Sequence, residues 1–176
     1  YSDDLSLKEM FMSVTIPSGP TNLLTYSASN KLITYWDFDR INATHLIGYS
    51  PYDYVGEFNN GVGFSSILGI RNQYGIFDGT DDYIEIINNT LIGDIGELSG
   101  AMWIKLDDLN TDSSFLTQDN WSLSSAILFW RDDVGVDGSR DNTLAISLNT
   151  AGGTVRAEAA ANLLNDNAWH HVAFTY

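Results

Sequence analysis

The chain has 176 residues and carries 23 acidic against 8 basic side chains, for a formal net charge of −15 with the histidines neutral. That balance argues against an unassisted nucleic-acid partner, which needs a cationic face, and against insertion at an anionic membrane surface; it suits solubility, an extracellular or high-salt setting, or divalent cations such as calcium. The length predicts one domain able to bury roughly two-thirds of its unfolded surface, and with no cysteine in the chain neither a disulfide nor a thiolate metal site contributes.

No apolar run reaches membrane-spanning length, and the first residues lack the basic, apolar and small-residue order of a signal peptide. The chain begins at Tyr1 and stops at Tyr176 within a strand-like stretch, so a processed or partial chain is expected. In residues 1 to 30, Leu5-Ser6-Leu7-Lys8-Glu9-Met10-Phe11-Met12 suits a short helix capped by Ser2 or Asp3, or part of a strand running on through Ser13-Val14-Thr15-Ile16, and periodicity does not decide between them. Pro17, Gly19 and Pro20 break whatever precedes them, and the polar Thr25 to Asn30 reads as a linker. The expectation is an N-terminal tether over residues 1 to 30, with Phe11 to Ile16 as an alternative strand for the sheet edge of a neighbouring copy.

From Leu32 the alternation puts Leu32, Thr34, Trp36 and Phe38 on one face and Ile33, Tyr35 and Asp37 on the other, the pattern of a sandwich strand. Residues 40 to 72 read as a long connection rich in Gly, Tyr and Asn. Next comes Tyr74-Gly75-Ile76-Phe77-Asp78-Gly79-Thr80-Asp81-Asp82-Tyr83-Ile84-Glu85-Ile86-Ile87, which reads as strand, turn, strand. Asp78-Gly79 tolerates left-handed backbone angles at the corner. Further strands are expected at Ala101 to Leu106, Ala126 to Trp130, Leu144 to Leu148, Val155 to Ala159 and Trp169 to Tyr176, a spacing typical of antiparallel all-β folds.

Four of these blocks, in this order, resemble the laminin-G-like branch of the concanavalin A-like jelly rolls: Leu32-Ile33-Thr34-Tyr35-Trp36-Asp37-Phe38-Asp39, the FDGTDDYIEI corner from Phe77, Leu98-Ser99-Gly100-Ala101-Met102-Trp103-Ile104-Lys105, and Trp169-His170-His171-Val172-Ala173-Phe174-Thr175-Tyr176. The resemblance implies an all-β fold, an antiparallel β-sandwich of the concanavalin A-like jelly-roll type over residues 31 to 176 with an N-terminal extension. In the family the last block continues into further strands, so the domain is expected to be C-terminally incomplete. The resemblance also implies a structural role for His170 and His171 in a packed core strand.

The glycosidases of related sandwiches carry Glu-x-Asp-x-x-Glu on one strand, and here Glu85 has no second acid at i+2 or i+4, so no enzyme is expected. No nucleophile elbow, phosphate loop or zinc motif is present. Adjacent His170 and His171 point to opposite faces of a strand and cannot share one metal, and His45 stands isolated in the long loop. Calcium is the cofactor that the residue types fit, through Asp78, Asp81 and Asp82 at the corner or through Asp132, Asp133, Asp137 and Asp141 in a second loop, neither with EF-hand spacing. Most of the aromatic rings, with Trp36, Trp103, Trp121, Trp130 and Trp169 among them, lie in expected strands and are read as core, whereas the loop tyrosines Tyr49, Tyr52 and Tyr54 are candidates for a ligand-contact surface. Three glycosylation tripeptides occur, at Asn42-Ala43-Thr44, Asn88-Asn89-Thr90 and Asn120-Trp121-Ser122.

These observations point to a non-catalytic adhesion or recognition module of an extracellular, cell-surface or virion-surface protein, with a glycan or a surface protein as partner. The competing class is a structural subunit of a filament or virion that self-assembles through residues 1 to 30.

Overall fold

A computed structural model describes residues 5–13, 32–49, 54–67, 69–87, 97–107, 113–118, 126–131, 143–150, 152–164 and 166–176. Every regular element among them is a strand: β1 (Leu5–Ser13), β2 (Leu32–Trp36), β3 (His45–Ile47), β4 (Val55–Asn59), β5 (Gly63–Ser65), β6 (Tyr74–Phe77), β7 (Tyr83–Ile87), β8 (Ser99–Leu106), β9 (Ser113–Gln118), β10 (Ala126–Arg131), β11 (Leu144–Thr150), β12 (Gly153–Glu158) and β13 (His170–Thr175). They form three antiparallel sheets. The large one has the order β13-β8-β1-β6-β5 with β2 also on β1, a second runs β12-β11-β10-β9, and a third runs β3-β4-β7.

Alternation in β8 explains the layering. Gly100, Met102, Ile104 and Leu106 are buried while Ser99, Ala101, Trp103 and Lys105 are half-buried, so one face of the large sheet is core and the other looks outward. Trp36, Phe77, Val172 and Phe174 join the inner face. Against it the four-stranded sheet places Phe115, Ile127, Phe129, Ile146 and Leu148 in the same core cluster. The two layers meet where the Phe129 ring lies 5.1 Å from that of Phe174. The three-stranded sheet packs on the same core through Leu46, Ile84 and Ile86, with Phe58 tilted 4.8 Å from Phe64 of β5. The result is the expected antiparallel sandwich.

Residues 5–13 are part of this sandwich, which differs from the tether expected there. On one side β1 pairs with β8 along its whole length; on the other, Leu5–Leu7 meet β6 and Met10–Ser13 meet β2. With both edges occupied, Leu5–Ser13 has no free edge to donate to a neighbouring copy, and Val14 to Ile16 lie outside the described residues. The physical reason is a register shift between Leu7 and Glu9 that leaves Lys8 unpaired against β8. It lets Leu5, Leu7, Met10 and Met12 stand opposite Leu106, Ile104, Met102 and Gly100, all buried, although their sequence spacing follows neither a strand nor a helix.

The long connection at 40 to 72 also differs from expectation, since it contains β3, β4 and β5. These are strands of three to five residues, two of them containing glycine, too short and too weakly alternating to stand out. Gly75 of β6 gives the buried Phe38 ring its place: a Cβ there would lie 2.8 Å from Phe38 Cε1. Phe38 itself holds a left-handed backbone, at φ 62°, while only 1 % exposed. The flanking carboxylates fix that turn. Asp37 Oδ1 accepts the Asp39 N–H at 3.0 Å, and Asp39 in turn accepts the Gln73 N–H at 2.9 Å and Asn72 Nδ2 at 2.8 Å.

Candidate functional site

The acidic corner joins two layers. β6 ends in the large sheet at Phe77 and β7 starts in the three-stranded sheet at Tyr83, so Asp78–Asp82 is a crossing between sheets and not the tip of a hairpin. Gly79 supplies the left-handed step, at φ 69°. Asp78 Oδ1 accepts the Thr80 N–H at 2.8 Å, an Asx turn, and Asp82 Oδ2 accepts the Asp78 N–H at 3.0 Å. From the β4–β5 connection, Asn60 Nδ2 donates to the Asp81 carbonyl at 2.7 Å and ties that second crossing between the same two sheets to the corner.

The fold brings Asp78, Asp81 and Asp82 together, each offering a carboxylate oxygen within 4.8 Å of the others. No described basic side chain pairs with them. Like charges at such a separation oppose one another by on the order of 1 kcal/mol per pair at a solvated surface. Asp82 Oδ1 is buried without a hydrogen-bond partner, facing the Gly61 Cα across the space a Cβ there would enter. Hard oxygen donors, mutual repulsion and one hidden, unpaired carboxylate oxygen together fit a divalent cation of the calcium type. The second set, Asp132, Asp133, Asp137 and Asp141, lies outside the described residues.

The loop tyrosines separate. Tyr54 is 3 % exposed and belongs to the core, which removes it from any contact surface; Tyr52 lies outside the described residues. Tyr49 is exposed, but its ring is stacked 5.5 Å from Tyr35 and carries the Arg40 guanidinium 4.5 Å from its centroid. Its backbone exchanges hydrogen bonds with that of Tyr35, at 2.8 and 3.2 Å, which locks it beside β2.

The outward face of the large sheet holds an aromatic group that sequence reading assigned to the core. Trp103 of β8 meets His171 of β13 at 5.2 Å, and Trp169 meets Tyr74 of β6 edge-on at 5.3 Å. Trp103, Trp169 and Tyr74 are half-buried and His171 is exposed. In β13 it is Val172 and Phe174 that turn inward, so the strand packs into the core while His171 looks outward. The missed signal was parity: Trp103 is odd where the buried residues of β8 are even. Lys105, close to Asp107 at 3.7 Å, and the exposed Thr175 add polar groups to the same face. His170, one step out of phase, bonds Asp166 at 2.6 Å. That hydrogen bond, helped by a second from the Ala168 N–H, holds the Asp166 carboxyl below its ordinary range against the opposing effect of desolvation.

His45 contacts the hydroxyl of its sequence neighbour Thr44 at 2.6 Å. Glu85 of β7, which has no second acid along its own strand, stands directly opposite Glu57 of β4. Both glutamates are exposed.

The topology defines an all-β, antiparallel sandwich domain. The sequence pattern of the laminin-G-like family in the concanavalin A-like lectin/glucanases superfamily matches residues 78–176, more than half of the chain. The chain belongs to that family. No curated protein and no solved structure matches it. Among the described residues no helix is long and apolar enough to cross a membrane.

Proposed function

We propose that this domain is a non-catalytic recognition module of an extracellular or surface protein, binding a glycan through the outward face of the large sheet and holding calcium at the Asp78–Asp82 corner. The carrying observation is the set of half-buried rings of Trp103 on β8, Tyr74 on β6 and Trp169 just before β13, with Trp169 against Tyr74 and His171 against Trp103. Such rings stack on the C–H faces of a sugar, and His171 and Lys105 on the same face supply hydrogen-bonding groups for its hydroxyls. A surface protein is the alternative partner, since aromatic faces also serve protein interfaces.

Asp78, Asp81 and Asp82 would hold the cation, which when bound supplies charge neutralisation and a fixed crossing between the two layers. The carboxylates orient it, Asp82 through the oxygen left free by its bond to the Asp78 N–H. Non-catalytic action is favoured by the exposure of Glu57 and Glu85, which lie on the three-stranded sheet and not on the aromatic face.

The test is binding to a glycan array and to a panel of surface proteins, with wild type, Trp103→Ala and Trp169→Ala, each checked for an intact melting transition. Glycan binding lost in both variants is the expected result. Binding untouched by either substitution, or release of reducing sugar that disappears in Glu85→Gln, would overturn the proposal. For the metal, a cation bound only by the folded state at one hundred times its Kd adds about 2.7 kcal/mol. The melting midpoint should therefore rise with calcium over chelator in wild type and not in the double variant Asp81→Asn, Asp82→Asn. Equal midpoints in wild type would remove the cation.

A further inference from the structure

The connection from β2 to β3 holds Asn42-Ala43-Thr44, whereas the tripeptides at Asn88 and Asn120 lie outside the described residues. All three residues of the first are exposed. The Asn42 side chain is oriented by its own turn. Its Oδ1 accepts the backbone N–H of Thr44 at 2.9 Å and of His45 at 2.9 Å, with the Thr44 hydroxyl at 3.4 Å. The Asn42 N–H closes the turn on the His45 carbonyl at 3.0 Å. Two backbone donors can be met only by the amide oxygen, so the assignment of oxygen and nitrogen is fixed by the bonding. The Nδ2 amine is left directed away from the turn, and no described group accepts from it.

We propose that Asn42 is an acceptor for an N-linked glycan. In the transfer, Nδ2 attacks the anomeric carbon of an oligosaccharide carried on a polyprenyl pyrophosphate. The Nδ2–C1 bond forms and the C1–O bond to pyrophosphate breaks; the lipid pyrophosphate leaves with the electron pair, and one Nδ2 proton passes to a base of the transferase. The hydroxyl at the second following position, here Thr44, is what such transferases require. The folded turn accommodates the product without change, because the hydrogen bonds that define it use Oδ1 and the backbone, and the bulk attached to Nδ2 stands in solvent. Physiological use of the site rests on the surface location proposed above; acceptor competence does not.

The experiment secretes the chain from a eukaryotic cell behind a supplied cleavable signal sequence. Peptide N-glycosidase in heavy-oxygen water then marks every formerly glycosylated asparagine as a heavy aspartate, read by peptide mass. Label at Asn42 is the expected result, lost in Thr44→Ala and retained in Thr44→Ser. Thr44→Ala keeps both backbone donors to Asn42 Oδ1, so its fold is preserved and an intact melting transition verifies this. An unlabelled Asn42 in secreted, folded chain, or label confined to Asn88 or Asn120, would overturn the assignment. Because the signal sequence is supplied, either outcome speaks to the acceptor alone, and glycan binding by the module stays separately measurable.

Discussion

Replacing Gly75 by alanine tests whether the Phe38 wedge is as tightly held as its surroundings indicate. The new Cβ would stand 2.8 Å from Phe38 Cε1, 3.2 Å from Phe38 Cδ1 and 3.2 Å from Phe77 Cε2. Carbon atoms rest at about 3.5–4.0 Å, so the ring must give way by about 0.7 Å. It has little freedom to do so: Phe38 is 1 % exposed, its backbone is left-handed, and Asp37 and Asp39 anchor the residues on either side. Overpacking of this kind costs roughly 1–3 kcal/mol, while removing a glycine from the unfolded chain returns about 0.4–1 kcal/mol. A net loss of about 1–2 kcal/mol follows, seen in urea titration with an unchanged slope. At about 2–4 °C per kcal/mol for a chain of this size, the melting midpoint should fall by several degrees. The Phe38→Leu change shortens the offending ring, so the double variant should be more stable than the sum of the single effects by about 0.5 kcal/mol or more. A Gly75→Ala protein as stable as wild type, or strict additivity with Phe38→Leu, would refute the reasoning.

Glu57 and Glu85 face each other across β4 and β7, and like charges there are destabilising, so Glu57→Gln should raise stability by about 0.2–1 kcal/mol. The gain should shrink in high salt as screening removes the repulsion, and a loss of stability at low salt would count against the register. For pH, the Asp166 carboxyl is lowered in the folded state, chiefly by its hydrogen bond with His170. A depressed carboxyl contributes stability that is fully present above its unfolded pKa and is lost as pH falls through the folded one. The acid limb of the stability curve should therefore be shallower in Asp166→Asn than in wild type below the ordinary aspartate range; identical acid limbs would show that the contact contributes nothing.

Much of this fold was written in short-range pattern. The strict alternation of Ser99 to Leu106 and the corner from Phe77 to Ile87 identify sandwich strands because each has one face that must be buried, and burial imposes a period of two. Charge and the cluster of aspartates at 78, 81 and 82 are likewise local, since five consecutive residues in a tight corner cannot separate widely. Only the tertiary structure decided the place of Leu5–Ser13, whose apolar residues switch parity at Lys8 through a bulge that exists only against β8. It alone decided that β3, β4 and β5 are strands, because ladders of so few residues persist through their partners and not through propensity. It decided too that Trp103 and His171 look outward, that Tyr54 is core, and that Glu85 has Glu57 as its neighbour. Each of these depends on which strand lies alongside, a pairing set by the sum of long-range contacts and not by any stretch of chain read alone.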